Sequence, residues 1–378
     1  MSDRNSANRF LKSARAFAGG LALPVIAIIA SGAVQSGTAP TAQTAQKAFK
    51  NVQVLKDIPA DDLVPTMQFI SGSLGVECGF CHVRDAFEKD DKEPKRTARQ
   101  MMQMELAINA RNFDSRRAVT CYTCHRGQTK PVSIPSTEDR ADAPPEDAYF
   151  SEAEMAGPST PPPGLPAASD ILAKYVAALG GKTAIENIST RREKGTVSFG
   201  SGPPLAVERI TKSPAKQIFT VHMPAGESST VFDGHTGWLS FPGSPIREMH
   251  QVDFPGARLD ADLHLPVDLA RLFTRIESIQ RLKMGSSEAV LVFARNDGQP
   301  PLELYFDRNS GLLLRELRFA ETPLGLNPTR IDFSDYADFE GVKIPRHLII
   351  AGPGRRLEIQ FHEIEQNLGV DDAVFEHH

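Results

Sequence analysis

Four cysteines are the only ones in the 378 residues, and they fall into two matching frames, Cys78-Gly-Phe-Cys81-His82 and Cys121-Tyr-Thr-Cys124-His125. Each is a complete C-x-x-C-H. Two thiols three residues apart on a helical turn add across the two vinyl groups of one haem, and the adjoining imidazole then reaches the iron as its proximal ligand. The spacing therefore predicts two covalently attached c-type haems, on Cys78 and Cys81 and on Cys121 and Cys124, with His82 and His125 as axial ligands. Two other chemistries use the same residue types. A four-cysteine zinc site built from two C-x-x-C pairs does not require a histidine after both. Two disulfides or a thiol redox centre are the remaining reading of an even cysteine count.

An iron held this way takes a sixth ligand, Met or His in electron carriers, or leaves the position open for gas or peroxide chemistry. Between residues 40 and 130 the only histidines are His82 and His125, so a bis-histidine pair from this segment is excluded. The methionines there are Met67, Met101, Met102 and Met104. Residues 61–73 and 97–109 read as two helices, each preceding one pentad, so helix, loop and C-x-x-C-H occur twice as a weak internal duplication. A helical methionine is ordinarily core filler. Here the irons supply a need that histidine cannot meet, which marks Met67 as the distal ligand of the first. In the second helix Met101 and Met104 share a face and Met102 points about 100° away, so geometry alone leaves Met101 and Met104 open.

The elements around these residues divide the chain. Residues 1–39 open with Arg4, Arg9, Lys12 and Arg15, continue as an uncharged apolar run to Val34, and end in small residues. That is the layout of a secretory signal peptide, an uncleaved anchor being the alternative. Residues 40–130 hold all four cysteines and form a small helical dihaem domain. Residues 131–168 are rich in proline and acids and read as an extended linker. Residues 169–378 change texture. Ser169-Asp170 caps a helix over 171–179, and residues 266–273 suggest another. Short runs of β-branched and alternating apolar residues fill the rest: 195–199, 218–222, 229–232, 238–241, 289–293, 302–306, 312–317, 329–333, 347–350 and 356–361. Turn signals such as Asp233-Gly234 and Asn309-Ser-Gly311 separate them, which predicts an antiparallel meander. The fold class is thus α+β and multidomain: a small α-helical cytochrome domain followed by a curved antiparallel β-sheet.

Net charge is −5 and one Trp is present, so a basic, base-stacking nucleic-acid surface is excluded. His222, His235, His250, His264, His347 and His362 are scattered and read as surface or satisfied residues. No nucleophile–base constellation and no phosphate-binding glycine loop is visible in the sequence.

Residues about 50–130 resemble the cytochrome c subunit of photosynthetic reaction centres. The matching stretches are Met67, Leu74-Gly-Val-Glu-Cys-Gly-Phe-Cys-His82, Ala98-Arg-Gln-Met-Met-Gln-Met-Glu-Leu-Ala-Ile-Asn109 and Val119-Thr-Cys-Tyr-Thr-Cys-His-Arg-Gly127. The resemblance implies that Met101, the first methionine of the Ala-Arg-x-Met-x-x-Met helix, ligates the following iron and that Met104 is packing. It implies Met67 likewise for the first iron. Two departures stand out. Well-known members bind four haems, whereas this chain offers two frames, and the loop 110–117 lacks the histidine that serves another haem in the family. In the second half, residues 231–238 and 335–345 resemble outer-membrane lipoprotein carrier-like domains.

The sequence therefore predicts an exported, periplasmic electron-transfer protein rather than an enzyme, with membrane association possible through its N-terminus. Its partners would be redox proteins: a membrane-bound reaction centre that it re-reduces, or a respiratory complex in a non-phototroph. A dihaem peroxidase-like enzyme, and a β-module that binds lipid or a partner with the haems as sensor, are the alternatives.

Overall fold

A computed structural model describes residues 43–131, 163–200, 202–352 and 355–376. The expected signal or anchor segment, most of the expected linker and the terminal His377-His378 lie outside the described residues. Residues 42–378 make up one contact unit. No helix among the described residues is long and apolar enough to cross a membrane.

The first part is helical: α1 (Ala45–Ala48), α2 (Ala60–Leu74), α3 (Cys78–Cys81), α4 (Glu93–Asn112) and α5 (Cys121–His125). Helix α2 ends at Gly75, whose φ of 66° is the left-handed C-cap that glycine adopts without steric cost. Helix α4 starts a turn earlier than its apolar pattern indicates. Pro94 explains this, because proline fits the first helical turn, where its missing N–H is not needed. The buried stripe of α4 is Lys95, Met102, Glu105 and Asn109. Three of the four are polar, so hydrogen bonds rather than hydrophobicity set which face is inward.

Next come α6 (Ala168–Leu179) and α7 (Lys182–Glu186), then the sheet. The expected Ser169-Asp170 cap is corrected: α6 starts at Ala168 after Ala167, with no side-chain cap. Asp170 lies in the first turn, where its charge suits the helix N-terminus. Ile171, Leu172, Tyr175 and Leu179 of α6 are all buried, each burial contributing about 1.5–3 kcal/mol.

Thirteen strands form one antiparallel sheet: β1 (Thr190–Phe199), β2 (Leu205–Lys212), β3 (Lys216–Met223), β4 (Gly226–Phe232), β5 (Gly237–Ser240), β6 (Arg247–Glu248), β7 (Arg275–Met284), β8 (Ser287–Arg295), β9 (Leu302–Asp307), β10 (Leu313–Thr322), β11 (Gly325–Phe339), β12 (Val342–Gly352) and β13 (Arg355–Gln366). Between β6 and β7 the chain makes α8 (Phe254–Ala261) and α9 (Leu265–Leu272). Strands β1 to β6 form one meander and β7 to β13 another. They are joined where β1 pairs with β13, in register Arg191↔Gln366 through Phe199↔Leu357. Apolar cores lie under α6, α7 and α9, with Val290, Val292, Leu304 and Ile344, and across the middle strands, with Val197, Val207, Ile331, Leu348, Ile359 and Phe361. The α+β reading stands: helices first, then a large antiparallel sheet.

Candidate haem-binding site

Each cysteine pair occupies a single helical turn, α3 or α5, and the histidine follows at its end. No disulfide joins the four cysteines. Among the described residues, no three of His, Cys, Asp and Glu gather as a metal-ion site, so the two C-x-x-C pairs do not converge on one zinc centre.

The two imidazoles are held alike. His82 Nδ1 lies 3.0 Å from the Phe87 carbonyl, and His125 Nδ1 lies 2.9 Å from the Gln128 carbonyl. A carbonyl oxygen only accepts, so Nδ1 carries the proton in both rings. In the neutral ring this sets the tautomer that leaves Nε2 with its lone pair, the state a ligating imidazole needs. The Phe87 carbonyl is itself pinned, because Lys95 Nζ donates to it at 2.8 Å, to the Lys89 carbonyl at 2.7 Å, and pairs with Asp90 Oδ1 at 3.0 Å. Hydrogen bonds from Arg99, Asn51 and Lys95 hold the Asp90 carboxyl well below the usual carboxylate range. Lys92 Nζ adds a bond to the Gly79 carbonyl inside the first frame.

The second frame opens onto a cavity of about 360 Å³, within the ~300–1,000 Å³ range of cofactor sites. Cys121, Cys124 and His125 line it on one side. Met101, Met102 and Met104 of α4 line it too, and Ile70, Leu74, Phe80 and Ile108 make its walls apolar. Met101 is 38% exposed and Met104 48%, while Met102 is 7% exposed and packs into the core. All three methionines thus face the cavity, Met102 as the most buried, and both Met101 and Met104 remain open as the ligand. Phe80 belongs to the first frame, so the two motifs share a wall. They are also pinned together by backbone. Gly127 N donates to the Ser73 carbonyl at 2.9 Å, and a β-carbon on Gly75 would lie 2.1 Å from the Gly127 carbonyl oxygen.

Met67 does not line this cavity. It is half-buried beside an apolar cluster of Leu55, Phe69, Ile70, Met102 and Leu324, which Cys121 also borders.

Several positioning residues were not visible in the sequence. Glu105 Oε2 lies 2.9 Å from Cys121 Sγ, and burial pushes the Glu105 carboxyl up from its ordinary value. Asn109 Oδ1 accepts from the N–H groups of Ala118 and Val119, and its Nδ2 donates to the Val119 carbonyl. This side chain shapes the loop into α5. One further grouping was not visible in the sequence. Ser334 Oγ, His347 and Glu358 are linked by contacts of 2.8 and 2.9 Å across β11, β12 and β13. Ser334 is exposed, on the sheet face opposite Ile331 and Phe333, and the row reads as a cross-strand polar ladder.

A second cavity, also of about 360 Å³, lies on the other sheet face, between the strands and the α8–α9 segment. Phe219, Ile331, Leu348 and Ile359 wall it, and charged side chains reach into it. Glu193 accepts two bonds from Arg209, and Asp260 accepts two from Arg318. Burial pushes the Glu316 carboxyl beside Arg318 up to about 7. Arg191 Nε is buried without a hydrogen-bond partner.

Comparison with known proteins bears on the first part of the chain. Residues 27–186 match the family described as photosynthetic reaction centre cytochrome C subunit. The photosynthetic reaction center cytochrome c subunit of Thermochromatium tepidum is 34% identical over 95 residues, 24% of this chain and 24% of that protein. Cytochrome c-554 of Chloroflexus aurantiacus is 35% identical over 82 residues, 20% of each chain. The chain thus spans about a quarter or less of the length of these relatives. Among solved structures, a LolA superfamily protein from Nitrosomonas europaea is 11% identical, covering 56% of this chain and 99% of that one, with a TM-score of 0.39.

Proposed function

We propose that the chain is an exported dihaem c-type cytochrome whose task is electron transfer. One observation carries the reading: in both frames the imidazole is locked with its proton on Nδ1, at the end of the one helical turn that presents the two thiols. The match to the reaction centre cytochrome c subunit family and to these relatives supports haem c and electron transfer as the class of function. The residues fit the group. Cys78, Cys81, Cys121 and Cys124 would hold two haems covalently, His82 and His125 would ligate from one side, and Met67 and Met101 from the other. Bound haem supplies a one-electron couple, and methionine–histidine ligation places its potential high. The chain's own contribution is to orient the rings, keep the second site apolar and hold the frames side by side. The shared Phe80 wall and the Gly75–Gly127 contact support electron exchange between the two centres.

Within this reading residues 1–39 direct export, 40–130 form the redox domain, 131–168 connect and 169–378 form the sheet. The partners are redox proteins, a membrane-bound reaction centre or a respiratory complex. A pyridine haemochrome assay on the full chain should find two c-type haems, one in a Cys78→Ser/Cys81→Ser variant and one in Cys121→Ser/Cys124→Ser. An unchanged count in either variant refutes the assignment. Carbon monoxide should bind the ferrous protein poorly, whereas ready binding would favour the peroxidase-like alternative.

The apolar cavity with the unpartnered Arg191 Nε supports a second activity in the sheet, the binding of an amphiphile with an acidic head. Native mass spectrometry of wild type and Arg191→Met should show a co-purified acidic ligand in the former only.

A further inference from the structure

The helical part and the sheet meet at a place that no sequence pattern marks. The β10–β11 turn, Thr322-Pro323-Leu324-Gly325, is closed on itself. Gly325 N donates to Thr322 Oγ1 at 3.1 Å, and that hydroxyl donates to the Gly325 carbonyl at 2.6 Å. Leu324 at the tip is 0% exposed, and the cluster that buries it is drawn from the helical part: Leu55, Phe69, Ile70 and Met102. Ile70 and Met102 are at the same time walls of the cavity at the second C-x-x-C-H. Beside the tip, Gly325 runs so close to α2 that a β-carbon there would lie 2.4 Å from Phe69 Cζ. Asn327 Nδ2 donates to Gln68 Oε1 at 3.4 Å. Arg117, in the segment leading to Cys121, donates to the Thr322 carbonyl. One hairpin therefore touches α2, the core side of α4 and the approach to α5.

We propose that the tip of the β10–β11 hairpin is a positioning element for the methionine ligands, with Leu324 as its key residue. The proposal rests on the dihaem reading above. Gln68 and Phe69, which meet the hairpin, are the neighbours of Met67 on α2. Met102, which packs on Leu324, is the neighbour of Met101 on α4. A thioether is a weak, neutral ligand on a flexible stem. Its bond to iron depends on the helix backbone standing at the right distance, and the hairpin sets that distance by filling the space behind both helices. Truncating Leu324 leaves a void into which Met102 and Phe69 relax, and the helices carrying Met101 and Met67 follow.

The test uses full-length holoprotein carrying Leu324→Ala or, separately, Arg117→Gln. Haem content by pyridine haemochrome and the far-ultraviolet circular dichroism of the sheet serve as controls. The expected result is two haems still attached, partial loss of the methionine-to-iron charge-transfer absorption of the ferric form, and a downward shift of at least one midpoint potential, since lost methionine ligation favours the ferric state. If both variants keep the wild-type absorption and both potentials, the proposal is overturned. If Leu324→Ala does not fold, Arg117→Gln decides, because it removes the bond to the Thr322 carbonyl and leaves the cluster filled. If wild type itself carries fewer than two haems or shows no methionine band, the dihaem reading has failed, and the proposal falls with it.

Discussion

Replacing Lys95 by Met isolates the electrostatic support of the first frame. Lys95 is 8% exposed, and its ammonium has three acceptors: the carbonyls of Phe87 and Lys89 and the carboxylate of Asp90. Methionine keeps most of the stem and its packing but removes all three contacts. Asp90 keeps Arg99 and Asn51, so the main loss falls on the two carbonyls. Charged hydrogen bonds contribute about 1.5–3 kcal/mol each. With the two carbonyl bonds lost and the lower end of that range applied, the variant should lose about 3 kcal/mol. Urea unfolding at neutral pH should show this as a lower midpoint with an unchanged slope. A second effect follows at His82. With the ammonium gone, the Phe87 carbonyl accepts more strongly from Nδ1–H, and on the dihaem reading the potential of the first centre should fall. A stability loss under about 1 kcal/mol, the level of a surface ion pair, would refute the reasoning.

Three further outcomes are expected. Gly75→Ala must adopt a left-handed backbone at a cost of roughly 1–2 kcal/mol and also displace the Gly127 carbonyl, so thermal unfolding should show it less stable than any alanine substitution on the exposed face of α2. Asn109→Ala leaves the N–H groups of Ala118 and Val119 without their acceptor and should cost about 2–4 kcal/mol, with faster hydrogen exchange at 118–121 as the readout. Glu316 is held near 7 by burial, above its ordinary value of 4.5. A folded-state value raised in this way gives stability that is full below the unfolded value and lost as pH rises through about 7. Wild type should therefore lose about 3 kcal/mol relative to Glu316→Gln between pH 4.5 and 8, measured by denaturation at each pH. Parallel pH profiles would contradict the assignment.

The cysteine frames were legible because their chemistry is local, each complete within five residues. The strands at 289–293, 302–306 and 329–333 were legible through uninterrupted or alternating apolar residues bounded by turns. Strand β7 was not. Ile276, Ile279 and Leu282 repeat at a helical spacing, yet a bulge between Ser278 and Gln280 shifts the register, so that Ile276 packs in one core and Ile279 and Leu282 in the core on the other face of the sheet. The buried stripe of α4 escaped for a different reason. Lys95, Glu105 and Asn109 are inward because their partners, at 87–90 and 118–121, happen to lie there in space, and hydropathy carries no trace of that. The Ser334–His347–Glu358 row is likewise a product of strand register. Where β10–β11 meets α2, the contact joins residues some 250 apart in sequence, and no single-chain pattern reports it.

The pairing of β1 with β13 also bears on the order in which the fold assembles. Along the chain both cysteine frames come first, then β1, then some hundred and fifty further residues before the strand that completes the seam between the two meanders. Closing so long a loop is slow compared with forming the local helical turns at 78–81 and 121–125. The two C-x-x-C-H turns can thus form while the seam is still open, so the cysteine frames are the early, local part of a fold whose sheet closes late.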